Sequence, residues 1–98
     1  MSSTVAGNVE VRIPTILRPY TNNEKVVSAA GTDLQSVISS LDLNYPGLAE
    51  RLLENGQLRR FINVYINDED VRFMGALTAP IKDGDSVTIL PAVAGGSM

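Results

Sequence analysis

The sequence contains no cysteine, no histidine and no tryptophan. Without cysteine there is no disulfide framework and no thiolate nucleophile. Without histidine, the commonest general base and the commonest metal ligand are both missing. Aromatic residues are scarce, with three tyrosines and two phenylalanines, and they are not interleaved with Lys or Arg. There is no basic stripe either, so nucleic acid is not an expected partner. No apolar run approaches the ~20 residues that span a bilayer, so no membrane partner is expected. Residues 1–8 lack the basic segment followed by an apolar one that marks a secretory signal, and the expected location is the cytoplasm.

The 98 residues fit one domain. A chain of this length buries one modest core, removing roughly two-thirds of its unfolded surface from water. The net charge of −3 is mildly acidic, which suits a basic patch on a protein partner. Composition divides the chain into a loose lead-in (1–8), a folded domain (9–91) and a flexible tail (92–98).

Val9, Val11 and Ile13 alternate with Glu10 and Arg12, the period of a half-buried strand. Pro14 ends it, Pro19 and Asn22-Asn23 mark a turn region, and a second strand surrounds Val26 and Val27. The two strands form a hairpin. Thr32 and Gln35 then read as a capping box at a helix start. Leu34, Val37, Ile38 and Leu41 follow on one apolar stripe. Asn44-Tyr45-Pro46-Gly47 breaks the helix. Residues 48–53 fit a short second helix or an irregular turn, stopped by Asn55-Gly56. In residues 60–67, Ile62, Val64 and Ile66 share one face, with Phe61, Asn63 and Tyr65 on the other. A polar turn at residues 67–70, a short extended piece at 71–73 and an ambiguous stretch at 77–81 lead to the turn Lys82-Asp83-Gly84-Asp85. In the last strand, Val87 and Ile89 point inward and Thr88 and Leu90 outward, and Pro91 closes it.

One amphipathic helix has one sheet to cover, which predicts two layers. The element order predicts an α+β fold: a β-grasp, or ubiquitin-like, roll with a mixed sheet of four to five strands packed on one main helix. In that topology the first and last strands pair at the sheet centre, and the chain leaves the last strand as a tail. Phe61, Tyr65 and Leu90 would then gather as an apolar partner-binding patch on the open face.

No catalytic or metal site is expected. Asp68, Glu69 and Asp70, or Asp83 and Asp85, could approach a hard cation. However, Asp83-Gly84-Asp85 lacks the further oxygen ligands of a calcium loop, and acids in both groups are favoured in turns for backbone reasons alone. Arg59 and Arg60 read either as a steering pair for an acidic partner or as a solvated strand end. The remaining feature is Gly95-Gly96. A diglycine has no side chain to obstruct a narrow channel and adopts whatever backbone angles that channel imposes. The same dipeptide followed by Ser97 also resembles a flexible linker.

Asn63-Val64-Tyr65-Ile66-Asn67, then Asp83-Gly84-Asp85-Ser86-Val87-Thr88-Ile89-Leu90-Pro91, then Gly95-Gly96 resemble the MoaD/ThiS family of ubiquitin-like sulfur carriers. Ile13-Pro14-Thr15-Ile16-Leu17-Arg18-Pro19, Asn67-Asp68-Glu69-Asp70-Val71-Arg72-Phe73 and Ala92-Val93-Ala94-Gly95-Gly96 are similar to the actinobacterial branch serving cysteine biosynthesis. The resemblance covers residues 9–96.

The resemblance implies a protein cosubstrate rather than an enzyme. It binds no cofactor itself; ATP and a sulfur donor are used by its partner, an adenylating sulfurtransferase. That activating enzyme would hold Phe61, Tyr65 and Leu90, with Ala92, Val93 and Ala94 in its channel. The Gly96 carboxylate, beside Gly95, would become an acyl-adenylate and then a thiocarboxylate. Further implied partners are a pyridoxal-phosphate-dependent cysteine synthase, as sulfur acceptor, and a zinc metalloprotease.

Ser97 and Met98 depart from the family pattern, which ends at the second glycine. They are either an appended remnant or, as favoured here, a mask cut between Gly96 and Ser97. Other roles within this resemblance are the small subunit of molybdopterin synthase, a carrier for methionine, thiamine or thio-containing secondary metabolites, and a protein-conjugating modifier.

Overall fold

The computed structural model describes residues 8–91. The expectations for residues 1–7 of the lead-in, and for the tail with Ala92, Val93, Ala94, Gly95, Gly96 and Ser97, lie outside those residues, whereas Asn8, expected in the lead-in, pairs with Ala30 as part of the first strand.

The alternating pattern at the start forms strand β1 (Asn8–Arg12), with Val9 and Val11 buried and their neighbours exposed. Strand β2 (Val26–Ala30) returns antiparallel, with Val11 opposite Val27. The segment between them is more ordered than a plain turn: Thr15–Thr21 forms a 3-10 helix. Leu17 and Pro14 are buried beneath it. The fully buried Thr21 hydroxyl donates to the Glu24 carbonyl at 3.0 Å, so the loop's polar interior is satisfied locally.

Helix α1 (Leu34–Asn44) buries the expected stripe of Leu34, Val37, Ile38 and Leu41. Its cap lies one residue later than expected. Asp33, not Thr32, accepts the Ser36 backbone N–H at 2.8 Å, and the Ser36 hydroxyl, not Gln35, accepts the Asp33 N–H at 3.1 Å. The ionised carboxylate is the stronger acceptor. Packing fixes the same register: a Cβ on Gly31 would lie 2.5 Å from the Ser36 hydroxyl and 2.7 Å from the Val37 nitrogen, so only glycine lets the strand end approach the helix start this closely.

Helix α2 (Leu48–Leu52) resolves the next ambiguity in favour of a helix. Asn55-Gly56 does more than stop it. Both residues have positive φ, 55° and 75°, the geometry of a tight hairpin turn. They join two strands absent from the expectation, β3 (Leu53–Glu54) and β4 (Gln57–Leu58). Strand β5 (Ile62–Ile66) buries Ile62, Val64 and Ile66 as expected.

The next segment reverses the expected order of turn and strand. Asn67 and Asp68 alone form the turn, with φ of 51° and 74°, so Glu69–Asp70 pairs back on Ile66 and Tyr65 as strand β6. Val71–Phe73 is a 3-10 turn, not an extended piece, because the Asp70 carboxylate accepts the Arg72 N–H at 2.9 Å. A second 3-10 turn covers Ala76–Thr78.

Strand β7 (Ser86–Pro91) completes a five-stranded sheet in the order β2-β1-β7-β5-β6. Pro91 does not close β7 from outside; it is the strand's last residue and pairs with Ile62. β7 runs parallel to β1 and antiparallel to β5. The inward side chains of β1, β2, β5 and β7 meet the α1 stripe, together with Leu48 and Leu52. This mixed sheet on one main helix is the β-grasp roll.

Two carboxylates make the fold acid-sensitive. The Ser36 backbone N–H, then its hydroxyl, hold Asp33 below the usual carboxylate range against a small opposing effect of burial. The Lys82 N–H, then the Asn67 amide, do the same for Asp85. A carboxyl group depressed in the folded state stabilises it above the unfolded pKa and loses that contribution as pH falls through the folded value. The denaturant midpoint should therefore hold from neutrality to about pH 5 and fall below about pH 4. The double variant Asp33→Asn, Asp85→Asn should show a shallower fall. An equally steep fall in that variant would place the acid sensitivity elsewhere.

Candidate functional site

The site is built at the end of β7. β7 is the middle strand, held by β1 from Ser86 to Thr88 and by β5 as far as Pro91, the last described residue. The outward residues of β7 alternate with its core residues: Thr88 and Leu90 face away from α1, and Val87 and Ile89 face it. Leu90 stands opposite Asn63 on β5. Phe61 and Tyr65 flank Asn63 on the same face, within diagonal reach of a large side chain. Phe61 and Leu90 are exposed by 56% and 45%, whereas Tyr65 is half-buried between Thr88 and Asp70. The structure thus puts all three on the open face, with Phe61 and Leu90 nearest the strand end. The Asn63 side-chain oxygen between them is buried and accepts no hydrogen bond among the described residues.

Two apolar residues missed by sequence reasoning join this end. Ile16, on the 3-10 helix, is 60% exposed, and Val26 of β2 is 38% exposed. With Leu90 and Pro91 they line a groove of about 490 Å³, which also takes in Arg12, Arg18 and Lys25. On the other side of Pro91, Ile16 and Phe61 border a second groove of about 700 Å³ with Arg51, Arg59, Arg60 and Glu54. The Arg12 and Val26 directions were readable from strand alternation. Ile16 carried no such signal, because its loop has no period.

Several of these cations are tied down. Arg18 donates to the Ile13 carbonyl at 3.2 Å, and Arg51 stacks 5.3 Å from the centre of the Tyr20 ring. Arg59 donates to the Glu50 carbonyl through both Nε and Nη2, at 3.0 and 2.9 Å, and lies 3.6 Å from Glu54.

The turn acids sit at the far end of the sheet, and Asp70, Asp83 and Asp85 have structural partners. Asp85 accepts the Lys82 N–H and the Asn67 amide, both at 2.9 Å; Asn67 in turn accepts the Ser86 N–H at 3.0 Å. Asp83 accepts the Asn8 N–H at 3.0 Å. These bonds clamp the starts of β1 and β7 to the end of β5. Among the described residues, no group of three or more Asp or Glu side chains is placed to hold a metal ion. No helix among them is long and apolar enough to cross a membrane.

Comparison with known proteins gives this geometry a context. The ThiS family model matches residues 11–96. The sulfur carrier protein CysO of Mycobacterium tuberculosis is 62% identical over 92 residues, covering 91% of this chain and 99% of the relative. A crystal structure of the Amycolatopsis orientalis BexX/CysO complex contains a chain 55% identical with a TM-score of 0.86, covering 90% of this chain and 99% of that one. The solution structure of small archaeal modifier protein 1 from Methanosarcina acetivorans superposes with a TM-score of 0.79 at 30% identity, covering 96% and 100%. With the family match spanning β1 to the diglycine, and with near full-length identity to a sulfur carrier, this chain belongs to the ThiS family.

Proposed function

We propose that the chain is a sulfur carrier whose working group is the Gly96 carboxylate. The observation that carries this reading is the 62% identity with a sulfur carrier protein over nearly its whole length. The position of β7 supports it, since its last residue, Pro91, lies between two grooves. A carboxylate is a poor electrophile. Attack of its oxygen on the α-phosphorus of ATP, with loss of pyrophosphate, makes an acyl-adenylate. A sulfur nucleophile then forms the C–S bond as the C–O bond to AMP breaks. The resulting thiocarboxylate delivers sulfur without releasing free sulfide.

In this reading the chain is a cosubstrate, acted on in the cytoplasm where ATP is supplied. Its partners are an adenylating sulfurtransferase, a pyridoxal-phosphate-dependent cysteine synthase that accepts the sulfur, and a zinc metalloprotease. The protease clears whatever follows Gly96, here Ser97-Met98, because an amide at that carbon has no carboxylate to activate. Cysteine is the favoured product, given the family branch that the chain resembles.

Mass spectrometry tests the reading. A chain ending at Gly96, given ATP, the adenylating enzyme and a sulfide donor, should exchange one oxygen for one sulfur. The chain retaining Ser97-Met98 should stay unchanged until cut. A trimmed chain that never gains sulfur would sink the proposal.

The likeness to an archaeal modifier protein favours a second reading, conjugation of Gly96 to lysines of other proteins. Tryptic peptides of cell extract whose lysine carries the segment Asp83–Gly96 in an isopeptide bond would support that alternative, because Lys82 is the last cleavage site before Gly96.

A further inference from the structure

Lysine and arginine are unevenly placed along β7. The end at Pro91 gathers Arg12, Arg18 and Lys25 in one groove and Arg51, Arg59 and Arg60 in the other, leaving Ile16, Phe61 and Leu90 between them. Six of the eight Lys and Arg residues therefore ring the point where the chain leaves the sheet. Glu54 is the one acid lining either groove. The opposite end carries Asp68, Glu69, Asp83 and Asp85, on the turns that clamp the strand starts. A chain of net charge −3 thus presents a cationic collar at one pole. Among the described residues no ion pair holds Arg12, Lys25 or Arg60.

We infer that this collar docks on a protein whose tail-binding channel is rimmed by Asp and Glu side chains, with Ile16, Phe61 and Leu90 seated inside the rim. The inference rests on the carrier reading and names the chemistry of the partner surface. An apolar centre inside a charged ring divides two tasks. The centre gives residence time once water is excluded, while the ring sets orientation and encounter rate. The overall negative charge argues for a protein rim over a nucleic acid. A polyanion long enough to follow the surface would meet the acidic pole, whereas a rim touches only the cationic one. Long-range attraction of this kind is screened within about 10 Å at 0.1 M salt, so it must show as a salt-dependent association rate.

The test uses the chain ending at Gly96 and its cognate adenylating enzyme, with association followed by stopped flow from low salt to about 0.5 M. The triple variant Arg12→Glu, Lys25→Glu, Arg60→Glu should associate at least ~10-fold more slowly at low salt. Its dissociation rate should change little, and its curve should converge with the parent's at high salt. Each residue is exposed, and an unchanged melting curve confirms that the variant is folded. Lys82→Glu, at the acidic pole, matches the charge change of any single collar substitution and should leave the rate unchanged. The inference is overturned if the triple variant associates at the parent rate, or if Lys82→Glu slows association as much as Arg60→Glu. It is also overturned if the collar binds mixed-sequence single-stranded RNA more tightly than the enzyme. Pyrophosphate exchange separates the two levels of argument. A parent chain that supports exchange while the collar variants associate normally removes only the collar. A parent chain that supports none removes the carrier reading, and the collar falls with it.

Discussion

Phe61→Asp and Leu90→Asp should each weaken binding to the adenylating enzyme roughly 100-fold, while the domain stays folded. Both side chains are already half in water, so a carboxylate there forfeits little buried area in the free chain. Surface changes of this kind move stability by about 0.5 kcal/mol. In the complex the same carboxylate lies where water has been expelled and faces an acidic rim. An unpaired charge buried at an interface costs several kcal/mol in place of the apolar contact it removes. Titration calorimetry with the trimmed chain reads the affinity, and thermal melting reads the fold. Should either variant melt early, the open-face assignment of that residue is wrong. Should both bind normally, the enzyme holds the chain elsewhere. Leu43→Asp is the control, since that side chain is 84% exposed on α1, the helix that covers the opposite face of the sheet.

Leu41→Ala acts on the other layer and should lower the unfolding free energy by about 3 kcal/mol. Leu41 is 1% exposed and belongs to the stripe that seats α1 on β1, β2, β5 and β7. Truncation removes the transfer energy of the lost carbons and leaves a cavity that a tight core only partly closes. In a domain of this size such a loss lowers the melting temperature by roughly 10–20 °C. Urea unfolding checks it, with Leu43→Ala, two residues on and on the exposed face, expected within about 0.5 kcal/mol of the parent. A loss below about 1 kcal/mol for Leu41→Ala would mean that the helix is not seated as described.

The elements that the sequence made legible are those with a period. Val9, Val11 and Ile13, the α1 stripe and the β5 and β7 alternations each have one buried face, and each was readable from spacing alone. Local geometry decided the rest. Asn55-Gly56 and Asn67-Asp68 read as a stop and as part of a longer polar turn. Each in fact supplies two consecutive positive-φ residues, enough to fold two-residue strands back on themselves. Such strands are too short to show alternation. The helix cap lies one residue beyond Thr32, because the close packing of Gly31 on Ser36 and Val37 sets the register. In the candidate site, Phe61 and Leu90 were visible as outward residues of predicted strands. Of the collar only Arg59 and Arg60 showed, as an adjacent pair; the others are scattered from Arg12 to Arg51, and only the fold brings them to one pole.

The central seat of β7 also has a mechanical consequence. A partner that draws the chain through a channel pulls β7 along its own axis. β5 pairs with the strand from Val87 to Pro91 and β1 from Ser86 to Thr88, so a pull along the axis loads both ladders in shear. Under such a pull the domain would act as a stopper on a cord, its folded body held at the channel mouth while the tail is worked on.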